Sequence, residues 1–364
     1  MPLQFDRDAE EQFLNKPVIT HVAELTTAQA KTIYSDPHYA NRDCTLRVRW
    51  MPSEEFRAGA YVANSGDHEI RLSYGTAIEI YRDAFVLPQT CKRVLIDKKF
   101  DPVFDLLGYG NRREDVLPAG LSAQDAKLEI IRMMTCWLFL HEQAHLLQMH
   151  GDIAKSEGSP ELLSNDEGII DEVPLGPKLQ GRDAALRHAF EFAADYEATT
   201  CLTMVESIHG LDEARLWCLA AGLMSMFRRF YGNSASAPDE VPCGTHPHPG
   251  IRMRMTINRI LSVLNLPDVA QKTSFSSSPD RARAIMDHAV YATDMFWHLR
   301  YLGLQARSPF LDTVTANLVV PPEYQKAIYE AWRSVRARIV EGHLGHGEGV
   351  VLFLNRPQAI GAQD

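Results

Sequence analysis

Cysteine pairs at a working spacing are missing from this chain. Its six cysteines (Cys44, Cys91, Cys136, Cys201, Cys218 and Cys243) lie far apart, and no two stand as Cys-x-x-Cys. This speaks against a thiolate zinc site and against a disulfide framework, and a reducing cytoplasm is the expected setting. Long apolar runs are missing too. The most apolar stretch, residues 130–147, is interrupted by Arg132, His141, Glu142 and His145, so no membrane span is expected. The opening Met1-Pro-Leu-Gln-Phe-Asp-Arg-Asp lacks the basic start and apolar middle of a signal peptide. Positive charge is scarce: 37 Lys and Arg face 47 Asp and Glu, for a net charge of -10. That balance opposes general binding to nucleic acid or to anionic membranes. The local basic positions Arg252, Arg254 and Arg259 fall on a predicted helix and read as its solvated face. There is neither a G-x-S-x-G elbow nor a P-loop, so serine-hydrolase and nucleotide-dependent readings have no support.

What remains is enough for a sizeable core: 364 residues, 45% of them hydrophobic. The pattern indicates an α+β protein, mainly helical, with a small antiparallel sheet near the N-terminus. Residues 1–40 read as helical. Thr45–Trp50, Ala58–Ala63 and His68–Tyr74 carry strand signals, the first and third by clear alternation. A helix is expected over Ala77–Leu87. Residues 1–120 thus form a mixed part, 121–265 a helical core and 266–364 a helical C-terminal part. In the core, Ser122–His150 is the strongest helix, with Ser122 as N-cap and Gly151 as stop. The polar stretch 151–181 reads as an insertion, with a lid or plug over the site as the alternative. Further helices are expected over Asp183–His209, Leu211–Phe230, Ile251–Leu264, Pro279–Tyr301 and Pro321–Glu341. A Ser-rich break is expected at 274–278 and a strand at Val350–Leu354.

His141-Glu142-Gln143-Ala144-His145 is an H-E-x-x-H motif. Positions four apart share a helical face one turn apart, so two imidazoles can grip one ion. Glu142 lies at the edge of that face, where it can take a proton from water instead of binding the metal. The flanking residues, Cys136-Trp-Leu-Phe-Leu and Leu146-Leu147, are apolar on all sides. The helix is therefore expected to be buried, where two His and a Glu are costly without a strong partner. A cation is such a partner. His150 falls on the opposite face of a continuing helix and reads as a helix-end residue facing terminal carbonyls.

A third ligand must come from elsewhere. On the helix from Asp183, His188, Glu191 and Asp195 form a short polar stripe at spacings of three and four. Glu197 points off that face. The alternative for the stripe is the solvated side of an amphipathic helix. H-E-x-x-H followed by Glu191-Phe-Ala-Ala-Asp195 resembles the gluzincin arrangement. Thr245-His246-Pro247 with Arg252 resembles the Thr-His-Pro…Arg segment of the HtpX and CAAX prenyl protease group of zinc peptidases. The resemblance spans roughly residues 125–260. Members of that group are usually membrane proteins, and in lacking a spanning segment this chain is similar instead to phage-exclusion proteases of the Lit type.

The resemblance implies a zincin-like core and a zinc-dependent endopeptidase acting on a protein or peptide substrate. It implies Zn2+ bound by His141, His145 and Glu191, with Glu142 as general base. Asp195 would accept a hydrogen bond from His141, His246 would donate to the oxyanion, and Arg252 would orient the His246 loop or pair near Asp195. His248 competes with His246 for that role; the spacing to Arg252 favours His246. The strand His68–Tyr74 is the candidate edge for an incoming peptide. A zinc hydrolase acting on another amide, or a regulatory protein retaining a metal site, are the alternatives.

Overall fold

The computed structural model describes residues 45–62, 67–93, 98, 117–118, 120–157, 170–171, 179–231, 237–273, 279–298, 309–315 and 319–344. The helix expected in 1–40, the break at 274–278 and the strand at Val350–Leu354 lie outside them. Chain order is β1 (Leu46–Met51), β2 (Ala58–Val62), β3 (His68–Ser73), α1 (Tyr74–Arg93), α2 (Ala123–Leu147), α3 (His150–Ser156) and β4 (Ile170–Asp171). Then follow α4 (Gly181–Ile208), α5 (Glu213–Tyr231), α6 (Pro249–Leu264), α7 (Pro267–Ala270), α8 (Pro279–Trp297), α9 (Pro309–Val314) and α10 (Pro322–Gly342). The described chain is mainly helical, with one small sheet near its N-terminal end.

Helix α2 is the axis of the molecule. Ser122 caps it: the Ser122 hydroxyl accepts the Asp125 N–H at 3.0 Å, satisfying one of the donors that a first turn leaves open. From Ile130 to Leu147 only Arg132 is not fully buried. A helix apolar on every side belongs in the middle of a domain, and α1, α4 and α5 pack around this one. Gly222 lets α5 come close: a Cβ there would stand 3.0 Å from Cγ of Met134. One core cluster runs from Ala58 of β2 through Trp137, Trp217 and Met286 to Val314 of α9. A second, built on Phe190, Phe192, Ile251, Tyr324 and Trp332, joins α4, α6 and α10.

Two expectations about the sheet need correction. It is mixed, not antiparallel: the order is β1-β3-β2-β4, with β1 parallel to β3 and the other pairs antiparallel. Alternation reports which face a strand buries but not the direction of its neighbour. The strand at residues 68–73 is interior, hydrogen-bonded on both sides, and so cannot be the edge that receives a peptide. β2 also pairs on both sides, with β3 along its length and, at Gly59 and Ala60 alone, with β4 from the 151–181 stretch. That stretch also holds most of α3.

The end of α2 differs as well. Gly151 does not stop the helix but lies inside α3. The break is at Met149, in the left-handed region with φ 55°. A residue with a side chain seldom takes that conformation, and the spacing alone gives no hint of it.

Candidate metal centre

The site forms where α2 lies against α4, which packs in turn against α6. His141 and His145, one turn apart on α2, point their Nε2 atoms at the same place, 3.1 Å from each other. From α4, Glu191 brings Oε2 to 3.4 Å from His141 Nε2 and Oε1 to 3.5 Å from His145 Nε2. Tetrahedral ligands at zinc-like bond lengths stand about 3.3 Å apart. The three separations thus fit a single small cation, and His141, His145 and Glu191 can hold a metal ion. Neither oxygen of Glu191 accepts a hydrogen bond among the described residues, although the residue is wholly buried. Arg252 Nη2 stands 3.4 Å from Oε2 but spends its hydrogen bond on Asp195, so a metal ion would complete the pairing of a carboxylate that is costly to bury. Burial, helped by the neighbouring His141 and His150, holds the His145 imidazole well below its ordinary range, leaving it neutral as a ligand must be.

Each ligand is supported from behind. His141 Nδ1 lies 3.0 Å from Asp195 Oδ1, which fixes the proton on Nδ1 and frees Nε2. The Trp137 ring stacks on His141 at 5.2 Å and is held by Thr199, which accepts its indole N–H at 3.0 Å. Asp195 in turn receives a two-pronged bond from Arg252, at 2.8 Å from Nε and 2.7 Å from Nη2. Burial pushes the Asp195 carboxyl up, but the Arg252 charge and these bonds outweigh it and hold it below its usual value. Arg252 therefore does not belong to a solvated face: it is 1% exposed. The stripe His188-Glu191-Asp195 is likewise buried along its length, which rules out the amphipathic reading of that helix.

His246 and His248 take different places. His246 Nε2 lies 3.9 Å from Glu191 Oε1, and its Nδ1 is 2.8 Å from the Thr245 hydroxyl. His248 caps α6, accepting the Gly250 N–H at 3.1 Å. The stripe residue His188 turns away from the ligand triangle and pairs with the Tyr324 hydroxyl at 2.9 Å. Burial, then the charge of His246, brings the His188 imidazole down to about 3. Glu142, adjacent to the first ligand, is 1% exposed. Tyr61 of β2 is near enough to feel its charge: burial raises the phenol above its ordinary value, Arg71 and Arg57 oppose this, and Glu142 adds to it.

Four participants were not legible in the motif. His150 faces the ring of His145, Nδ1 to Nδ1 at 2.8 Å, and makes no bond to the helix-end carbonyls expected of it. Gln148, Glu197 and His343 continue from it. One signal was available: Glu197 sits in a helix apolar on nearly all sides, so a charge there needs a partner wherever it points. Among the described residues no helix is long and apolar enough to cross a membrane. Comparison with protein-family models, with curated proteins and with solved structures finds no match for this chain.

Proposed function

We propose that this protein is a zinc-dependent endopeptidase with a zincin-like core, working in the cytoplasm on a protein or peptide substrate. The observation that carries the reading is the triangle of His141, His145 and Glu191, spaced for one ion, with a carboxylate that is not a ligand, Glu142, beside it. A structural zinc site usually closes with a fourth protein ligand. Here the other carboxylate bonded to a member of the triangle, Asp195, is taken by Arg252 and His141. Two imidazoles and a carboxylate suit zinc well.

Zinc bound there would polarise a carbonyl and bring the pKa of water toward neutrality. The residues do the rest. Glu142 takes a proton from the attacking water as its oxygen adds to the scissile carbonyl carbon. His246 donates its Nε2–H to the oxygen that becomes negative in the tetrahedral intermediate. Glu142 then hands its proton to the amide nitrogen as the C–N bond breaks, restoring the carboxylate. Asp195 and Arg252 keep His141 aligned throughout. His246, with 15% of its side chain exposed, is the most open of these groups, so the substrate approaches over its loop. A peptide as substrate is supported by the short pairing of β2 with Ile170–Asp171, which shows that an extended antiparallel segment fits beside the strand that carries Tyr61.

The test is cleavage of a peptide library by wild type, by chelated protein and by Glu142→Gln. Chelation should stop cleavage and zinc restore it. Glu142→Gln should keep its metal while turnover falls about 10²–10⁴-fold. Wild-type turnover by that variant rejects the general-base assignment. Hydrolysis of small amides without any peptide cleavage transfers the site to a different amide hydrolase.

A further inference from the structure

His145 has two ring nitrogens, and only one faces the ligand triangle. Its Nε2 is the atom near His141 and Glu191, so its proton belongs on Nδ1. That nitrogen meets His150 Nδ1 at 2.8 Å. A hydrogen bond between two ring nitrogens needs one proton and one lone pair. His150 Nδ1 must therefore accept, and the His150 proton sits on Nε2. From there it points at Gln148 Oε1, 3.0 Å away. With its oxygen so used, Gln148 turns its amide N–H groups to the Ala193 carbonyl at 3.1 Å and to Glu197 Oε2 at 2.7 Å. Both partners accept only, which settles the orientation of the amide. The same Glu197 oxygen takes the Nε2–H of His343, at 3.1 Å, from just beyond α10. Starting from the ligand atom, each link can run in one direction only, and the chain ends on a carboxylate.

The backbone is bent to make this chain. In an unbroken helix a residue five positions after His145 would stand about 140° around from it. The left-handed Met149 ends α2 and starts α3, and so returns His150 to the face of His145. The His150 ring is then clamped by stacking on Phe190 at 4.4 Å. The end of α10 seals the turn: Leu344 N–H bonds the Leu147 carbonyl at 2.9 Å, and Gly342 lies so close to Met149 that a Cβ would be 2.9 Å from its sulfur.

We propose that His150 is a positioning residue for the metal ligand His145, fixing its tautomer and ring plane, and that the end of α10 holds His150 in place through His343, Glu197 and Gln148. The inference rests on the metal reading of His141, His145 and Glu191, and concerns affinity for the ion whatever the substrate. Loss of such a partner behind a ligand commonly weakens metal binding about 10–100-fold.

His150→Phe keeps an aromatic ring to stack on Phe190 and removes the acceptor. Zn2+ and Co2+ affinity, measured by competition with a chromophoric chelator at a temperature where both metal-free proteins are folded, should fall about 10–100-fold. His343→Leu should weaken binding in the same direction by a smaller factor. Nitrogen-15 NMR of zinc-loaded wild type supplies a second readout that does not depend on how the variants fold. It should show His145 protonated at Nδ1, with a coupling across the hydrogen bond to His150. Affinity unchanged by His150→Phe, or a His145 proton on Nε2, overturns this inference and leaves the metal site standing. Failure of wild type to bind either ion overturns both.

Discussion

Two clusters of charged side chains among the described residues are built alike in one half and differently in the other. Between α1 and α5, the Arg229 guanidinium grips Asp83 through both Nε and Nη2, the latter at 2.7 Å, and also reaches Glu79 at 2.6 Å. The Ser225 hydroxyl adds a bond to Asp83 at 3.3 Å. Each Asp83 oxygen has a donor, and the cluster simply ties two helices together. Between α2, α4 and α6 the fork recurs as Arg252 on Asp195. Next to it, however, Glu191 and two imidazoles converge, and neither Glu191 oxygen accepts a hydrogen bond among the described residues. A closed cluster is complete as it stands. A cluster of converging acceptors becomes stable only when something positive enters, and that difference separates a bracing element from a binding site.

The comparison is most severely tested by removing the two arginines. Arg229→Met and Arg252→Met each leave a buried aspartate without its cation, and each should cost about 3–5 kcal/mol in urea unfolding. They should part company on metal: Arg229→Met should bind Zn2+ as wild type does, and Arg252→Met should bind it more weakly because His141 loses its aligned support. Equal metal affinity in the two variants would dissolve the distinction.

His68 offers a third kind of buried polar group, on the interior strand β3. Burial drives its imidazole down to about 4, against the opposing pull of Asp152 and Asp67. The unfolded chain takes up this proton near its ordinary pKa of about 6.5. The stabilising contribution is therefore complete above that pH and is lost as pH falls from about 6.5 through 4. The loss should total about 3 kcal/mol. Melts of wild type and His68→Leu at pH 7, 5.5 and 4 should show this step in the first protein only; parallel curves would contradict it.

The smallest effect should come from Glu191→Gln. In excess chelator its stability should fall only slightly, because the one cation near the carboxylate, Arg252 with Nη2 at 3.4 Å from Oε2, keeps its two-pronged bond to Asp195. With zinc at a hundred times its dissociation constant, wild type should gain about 2.7 kcal/mol and the variant nothing. A zinc-dependent rise in the melting temperature of Glu191→Gln equal to that of wild type would remove Glu191 from the ligand set.

Much of the helical framework could be read from the residues in order. Ser122 capping α2, Gly210 after α4 and the bounds of α5, α6 and α10 lie within a few residues of expectation, because caps and helical periodicity act over one or two turns. That His141, His145, Glu191, Asp195, His246 and Arg252 lie near one another was expected from the resemblance of their motifs to those of known zinc peptidases; spacing alone placed only His141 and His145 together and left His188, Glu191 and Asp195 as alternatives. Strand direction in the sheet was not anticipated, nor was the interior position of β3, since these depend on which segments meet.

The residues themselves determined where the ligating groups lie on their helices, for four positions along an α-helix share a face whatever surrounds it. They also determined that these helices would be buried, because their flanks are apolar all round. Only the tertiary structure decided what stands behind the ligands. The left-handed turn at Met149 brings His150 back onto His145, and the end of α10 carries His343 to Glu197, 146 residues away in the chain. Contacts of that reach are set by how the helices pack, and no local periodicity encodes them.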